Sequence, residues 1–287
     1  MKNGLKTAVL LGVMAALIMF VGGLFGRAGL TLGAIMALVM VGSSYWFSDK
    51  LAVKMARAVE VSEHQVPQYY AVMRELAGLA EMPLPKLYVS PEQQPNAFAT
   101  GRNPNHAAVC VTEGLLRTLN WDEIRGVLAH ELMHVRNRDI LTSSIAAGLA
   151  TMISYAANIA MWSTMFGGGR DRRDGGNPFA GLVAILVAPL AAGMIQMGIS
   201  RSREFEADRS AARLLGDGEP LARALEKLHG YAQRVPSSIP EAQASMYIVN
   251  PLAGRRGTNM ANLFSTHPEA AERIRRLRTG EWRKALI

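Results

Sequence analysis

The sequence predicts an α+β domain integrated with membrane-spanning α-helices, four in number. Three observations predict it. Four apolar runs are each long enough to cross roughly 30 Å of hydrocarbon as a helix. The stretches between them contain short strand-like segments bounded by Pro, Gly and Asn. The same stretches contain segments with apolar residues at three- and four-residue spacing, the mark of a helix with one buried face. The 287 residues suffice for one or two domains.

The first two runs are Thr7 to Phe25 and Ala28 to Phe47, joined by a very short turn at Gly26–Gly29 in which only Arg27 is charged. They read as a helical hairpin. Lys2 and Lys6 before it, and Lys50, Lys54 and Arg57 after it, place both ends in the cytoplasm. A signal peptide would account for the first run alone; the adjoining second run favours a retained anchor. The third run is Ile140 to Phe166 and the fourth Phe179 to Ile199. Their connection, Gly167–Pro178, has Arg170, Arg172 and Arg173 against Asp171 and Asp174, which opposes a simple outside placement. A second spanning hairpin is expected; the alternative is two helices packed partly within the membrane. The chain thus divides into a hairpin at 1–47, aqueous material at 48–139, a second hairpin at 140–199 and further aqueous material at 200–287. The two aqueous parts together can build one core. The expected placement is multi-pass, with the aqueous domain facing the cytoplasm.

Formal charge is +8, from 31 Lys and Arg against 23 Asp and Glu. No aromatic and basic motif accompanies it, so nucleic acid is not an expected partner. Basic residues beside the apolar runs instead suit anionic membrane lipids. The single cysteine, Cys110, forms no internal disulfide and reads as a small core residue.

Between the runs, Gln65–Met82 has helical spacing through Tyr69, Val72, Met73, Leu76 and Leu79, and Pro83 and Pro85 end it. Lys86–Val89, Ala97–Thr100 and Ala108–Thr112 read as strands, and Glu113–Leu119 begins a helix. Asn120 can cap the next helix, with Glu123 three residues later completing a capping box. Helices are also expected at Leu221–Tyr231 and Glu269–Arg278, whereas Val235–Gly257 reads as an irregular loop.

The capped helix contains His130-Glu131-Leu132-Met133-His134. Residues four apart share a helical face, so both imidazoles can point at one metal ion. Zinc with two histidines and an intervening glutamate is the arrangement that activates water for hydrolysis, with Glu131 as the base. A hydrolytic zinc site needs a third protein ligand and an open position. Ser202–Asp208 offers Glu204 and Asp208 on one face and Glu206 on another. Glu204 as ligand, with Asp208 behind a histidine to fix its ring, makes physical sense; a surface salt bridge is the competing role, most of all for Glu206. His134 precedes the third run by six residues, roughly 9 Å of helix, so the metal should sit just outside the apolar layer.

The chain closely resembles the HtpX branch of the M48 membrane metallopeptidases. The resemblance rests on Asn96–Gly101, Val111–Leu116, Leu128–His134, Arg203–Asp208 and Phe264–Pro268, and spans nearly the whole length. It implies a zincin-like metalloprotease domain with one catalytic Zn2+ held by His130, His134 and Glu204. It further implies Glu131 as the water-activating base and Asp208 as the acid behind the ligands. Asn96, Ala97, Phe98, Ala99 and Thr100 correspond to an edge strand that aligns extended substrate. His267 corresponds to a histidine near the site, its competing role being a helix-start residue beside Pro268. The implied activity is zinc-dependent endopeptidase cleavage of misfolded or damaged membrane proteins at the cytoplasmic surface of a bacterial inner membrane, with other quality-control proteases as partners. No phosphate-binding loop is evident, so any ATP-driven extraction would fall to a separate partner. The competing readings are a noncatalytic, zinc-stabilised membrane scaffold or regulator, and a true intramembrane protease.

Overall fold

The computed structural model describes residues 26–46, 48–137, 201–235, 247–251 and 268–283, with scattered positions before Gly26. Helix α1 (Gly26–Trp46) leads into α2 (Ser48–Met55) and the two-residue strand β1 (Val59–Glu60). There follow α3 (Pro67–Leu79), β2 (Lys86–Ser90), β3 (Ala97–Gly101) and β4 (Ala107–Thr112). Helices α4 (Glu113–Thr118) and α5 (Trp121–Arg136) complete the first half. The second half contributes α6 (Arg201–Leu215), α7 (Glu219–Arg234) and α8 (Ala270–Arg278). The three predicted strands and the helices of the aqueous stretches are all present, with ends shifted by a few residues. Strand β1 and helix α2 had no sequence prediction.

The sheet has the order β1-β2-β4-β3. Strand β2 runs parallel to β4, while β1 and β3 pair antiparallel to their neighbours. Every residue of β4 is buried, as expected of a central strand covered on both faces. One face carries Leu87, Val109 and Val111 into the main core with Tyr69, Met73 and Leu76 of α3 and Leu128 and Leu132 of α5. The other face packs Phe98 and Cys110 against Ala52 of α2. Among the described residues, strand β3 therefore lies at a free edge of the sheet. Ala97 and Ala99 face the α5 side with minimal side chains, which lets that helix lie close to the edge strand.

Helix α5 forms for local reasons. The Asn120 side chain accepts from the Glu123 backbone N–H at 2.9 Å, and the Glu123 carboxylate accepts from the Asn120 N–H at 3.0 Å. The predicted capping box is present and contributes about 1 kcal/mol. Glu123 also receives Lys227 Nζ of α7 at 2.8 Å, so the cap fixes a tertiary neighbour as well. At Gly126 the α7 backbone comes so close that a β-carbon would lie 2.5 Å from the Leu221 nitrogen. The absence of a side chain there permits the tight packing of α5 on α7.

The expectation of four spanning helices needs correction. Among the described residues no helix is long and apolar enough to cross a membrane. The second apolar run forms α1, which begins Gly26-Arg27 and ends Ser43-Ser44-Tyr45-Trp46, so its apolar stretch is shorter than the helix. The multi-pass placement in a bacterial inner membrane, with a cytoplasmic domain, rested on those spans and is corrected with them. The third and fourth runs and most of the first lie outside the described residues.

Candidate active site

Helix α5 presents His130 and His134 one turn apart. Their Nε2 atoms lie 3.1 Å from each other, with the rings perpendicular at a centroid distance of 4.7 Å. Helix α6 crosses α5 and brings Glu204 to the same point. Its Oε2 is 3.6 Å from His130 Nε2 and its Oε1 is 3.5 Å from His134 Nε2. One ligand atom from each residue can be chosen so that all three lie within 4.8 Å of one another.

Two imidazole nitrogens, each nearest a different oxygen of one carboxylate, lie at a spacing that suits a tetrahedral metal. Bonds of 2.0–2.1 Å to zinc set ligand atoms roughly 3.3 Å apart, close to the 3.1, 3.5 and 3.6 Å observed. Three protein ligands leave a fourth position open, the pattern of a hydrolytic site. His130 and Glu204 are buried, while His134 is partly exposed and marks the side open to solvent.

Asp208 lies one turn beyond Glu204 on α6. Its Oδ1 is 2.9 Å from His130 Nδ1, close but poorly aligned for a hydrogen bond. The contact favours the proton on Nδ1 and directs the Nε2 lone pair into the cluster. Burial opposes ionisation of Asp208, but the Arg273 guanidinium outweighs it and brings the carboxyl down to about 2. Burial likewise disfavours a charged His130, yet contacts with Asp208 and Glu204 raise its pKa.

The Glu131 side chain reaches β3. Its Oε2 accepts the Ala99 backbone N–H at 2.9 Å. Thr112 pairs with Asn96 through its backbone N–H, so alternate residues of β3 face β4 and Ala99 directs its N–H to the free edge. Burial pushes the Glu131 carboxyl up, and the two imidazoles and the Ala99 N–H only partly offset this. A carboxylate raised from its ordinary range is a better proton acceptor near neutral pH.

The structure thus brings together His130, Glu131, His134, Glu204, Asp208 and the edge strand. Glu206 faces elsewhere and pairs with Arg209 at 3.7 Å, the surface role that competed for it. His267 lies outside the described residues. His106 and His229 make local contacts, with Asn103 and Gln233 respectively.

Sequence reading missed Arg273. This arginine of α8 is 1% exposed. It grips Asp208 with two nitrogens, Nε to Oδ2 at 2.8 Å and Nη2 to Oδ1 at 2.7 Å. Its Nη1 donates to the Ile248 carbonyl at 2.9 Å, and Nη2 comes within 3.4 Å of His130 Nε2. A signal was present: Ala270, Arg273 and Leu277 fall on one helical face, and the two flanking positions are buried core residues. An arginine on such a face needs a buried anionic partner.

A helix that offers two imidazoles and a carboxylate, a third ligand from a second helix, and a sheet edge beside them define a metallopeptidase of the zincin kind. The chain belongs to peptidase family M48, which matches residues 63–281. It is 50% identical over 290 residues to the Protease HtpX homologs of Burkholderia mallei strain SAVP1 and Burkholderia thailandensis, covering 98% of this chain and 100% of each relative. The fold also matches the crystal structure of S. mikatae Ste24p with a TM-score of 0.51 and 16% sequence identity. That match covers 96% of this chain, which spans 65% of the other. Family, fold and metal-binding cluster together make this protein a zinc metalloendopeptidase.

Proposed function

We propose that a single zinc ion is held by His130, His134 and Glu204, and that the enzyme cleaves unfolded or damaged polypeptides, membrane proteins among them, by their extended backbones. The observation that carries this reading is the Glu131 carboxylate, placed between the ligand cluster and the free edge of β3 and bonded to Ala99 N–H at 2.9 Å. A substrate strand added to that edge is held through its main chain, so side-chain demands are few. Such recognition suits chains that have lost their fold. Damaged membrane proteins are the substrates implied by the family resemblance. Glu131 takes a proton from the attacking water and returns it to the leaving amine. Asp208 and Arg273 hold His130 in its ligating orientation. When bound, zinc supplies the Lewis acidity that acidifies water and stabilises charge on the carbonyl oxygen. The family resemblance gives His267 a role in the same reaction. The catalytic unit is built from 48–139 and 200–287, because its ligands come from both; 1–47 and 140–199 are separate segments.

Purified protein should contain zinc and cleave an unfolded reporter such as casein. Glu131→Gln should keep its zinc and lose cleavage by about 10²-fold or more, the usual contribution of a general base. Equal rates for the two proteins, with contaminating proteases excluded, would favour the scaffold reading.

A further inference from the structure

Asn96 precedes the edge strand, and its backbone is already committed. Its N–H donates to Thr112 Oγ1 at 2.9 Å, and its carbonyl accepts the Thr112 N–H at 3.0 Å. Thr112 Oγ1 in turn donates to the Gln94 carbonyl at 2.9 Å and accepts the Leu115 N–H at 3.1 Å. The Asn96 position is thereby fixed to β4 and to the start of α4. Its side chain reaches elsewhere: Oδ1 accepts the backbone N–H of Ile248 at 3.1 Å, across 152 residues of sequence. The other side of the Ile248 residue is also engaged, since its carbonyl accepts from Arg273 Nη1 at 2.9 Å. Ile248 packs its side chain into the main core, so this short segment is anchored rather than draped.

These contacts form one continuous path. It runs from Asn96 through both polar groups of Ile248 to Arg273, then to Asp208 and to His130 Nδ1. Asn96, Ile248, Arg273, Asp208 and His130 are all buried, so these contacts are shielded from water. The planar guanidinium cannot move its Nη1 without moving the pair that grips Asp208. Ile248 is therefore the point at which the strand end meets the support of the metal site.

We propose that Asn96 is a positioning residue for the metal site, acting through the Ile248 peptide on Arg273, Asp208 and His130, in addition to its place at the substrate strand. The proposal rests on the reading of His130 as a zinc ligand. Its consequence is that loss of the Asn96 acceptor weakens metal binding even in the absence of substrate. A residue that only lined the strand would change substrate binding alone.

The test uses the full chain and zinc alone as probe, with affinity measured by competition against a chromophoric chelator. Asn96→Leu keeps the side-chain size and removes the acceptor; Asn96→Asp keeps an oxygen at Oδ1. Asn96→Leu should weaken zinc binding roughly tenfold or more, the usual cost of losing support behind a metal ligand. It should also alter the d–d spectrum of the cobalt-substituted protein, and at saturating zinc lower kcat more than it raises KM. Asn96→Asp should restore most of the zinc affinity. Far-UV circular dichroism of the metal-free proteins checks that both variants fold. Wild-type zinc affinity in Asn96→Leu, with only KM raised, overturns the proposal. Equal loss in both variants also overturns it, because the acceptor would then not be the cause. His130→Ala separates this failure from failure of the metal reading. If that variant binds zinc normally, the ligand assignment itself is wrong.

Discussion

Gly126→Ala sets two effects of opposite sign against each other. In an exposed helix interior the substitution stabilises by up to about 1 kcal/mol, because glycine has more chain entropy to lose. At Gly126 the added β-carbon would lie 2.5 Å from the Leu221 nitrogen, 2.8 Å from the Leu221 α-carbon and 2.8 Å from the Pro220 carbonyl carbon. All three are backbone atoms, so no side chain can swing aside. Helices α5 and α7 must separate, by something approaching 1 Å at this point. Overpacking of a tight core costs about 1–3 kcal/mol, and a rigid backbone neighbour places this case at the upper end. The net expectation is destabilisation of about 2 kcal/mol, or a Tm lower by roughly 4–8 °C. Gly78→Ala on α3 is the matched control, because nothing lies within 4 Å of its would-be β-carbon. Thermal unfolding followed by circular dichroism should show Gly126→Ala falling while Gly78→Ala holds or rises by a degree or two. If Gly126→Ala raises Tm as much as the control does, the close contact of α5 with α7 is not as described. The reasoning about how the histidine helix is seated would then fail.

Two further outcomes follow from single atoms. Ala99→Pro deletes the N–H that Glu131 accepts, at an edge position where proline is tolerated. Loss of one hydrogen bond to a charged group should lower kcat/KM roughly ten- to hundredfold with zinc content unchanged; an unaltered kcat/KM would remove the edge-strand N–H from the mechanism. Burial pushes the Cys110 thiol up to about 12 from 9.0. The folded state thus holds its proton where the unfolded state has lost it, so the stabilisation is complete below pH 9 and disappears as pH rises through 12. At pH 9 iodoacetamide should label Cys110 rapidly in denaturant and very slowly in the folded protein; equal rates would show that the thiol is not buried.

Local features were the most legible. The capping box at Asn120 and Glu123 predicted where the α5 helix begins, and the four-residue spacing of His130 and His134 predicted a shared face. The phase of α6 likewise separated Glu204 and Asp208 from Glu206. Apolar content was a poorer guide. The run from Ala28 to Phe47 suggested a membrane span, but no described helix is long and apolar enough to cross. Arg273 was overlooked because the face it shares with Ala270 and Leu277 marks burial but not the partner, and Asp208 is 65 residues away.

By itself the sequence determined the chemistry: two imidazoles and a carboxylate fixed on one helix by hydrogen bonds between residues three and four apart. Spacing along a helix is set by backbone geometry, which every residue carries with it. Packing alone decided that α6 crosses α5 at Glu204, that β3 occupies the free edge beside Glu131, and that Ile248 joins Asn96 to Arg273. Those contacts depend on how buried surfaces fit across as many as 152 residues of chain, and no local spacing encodes that distance.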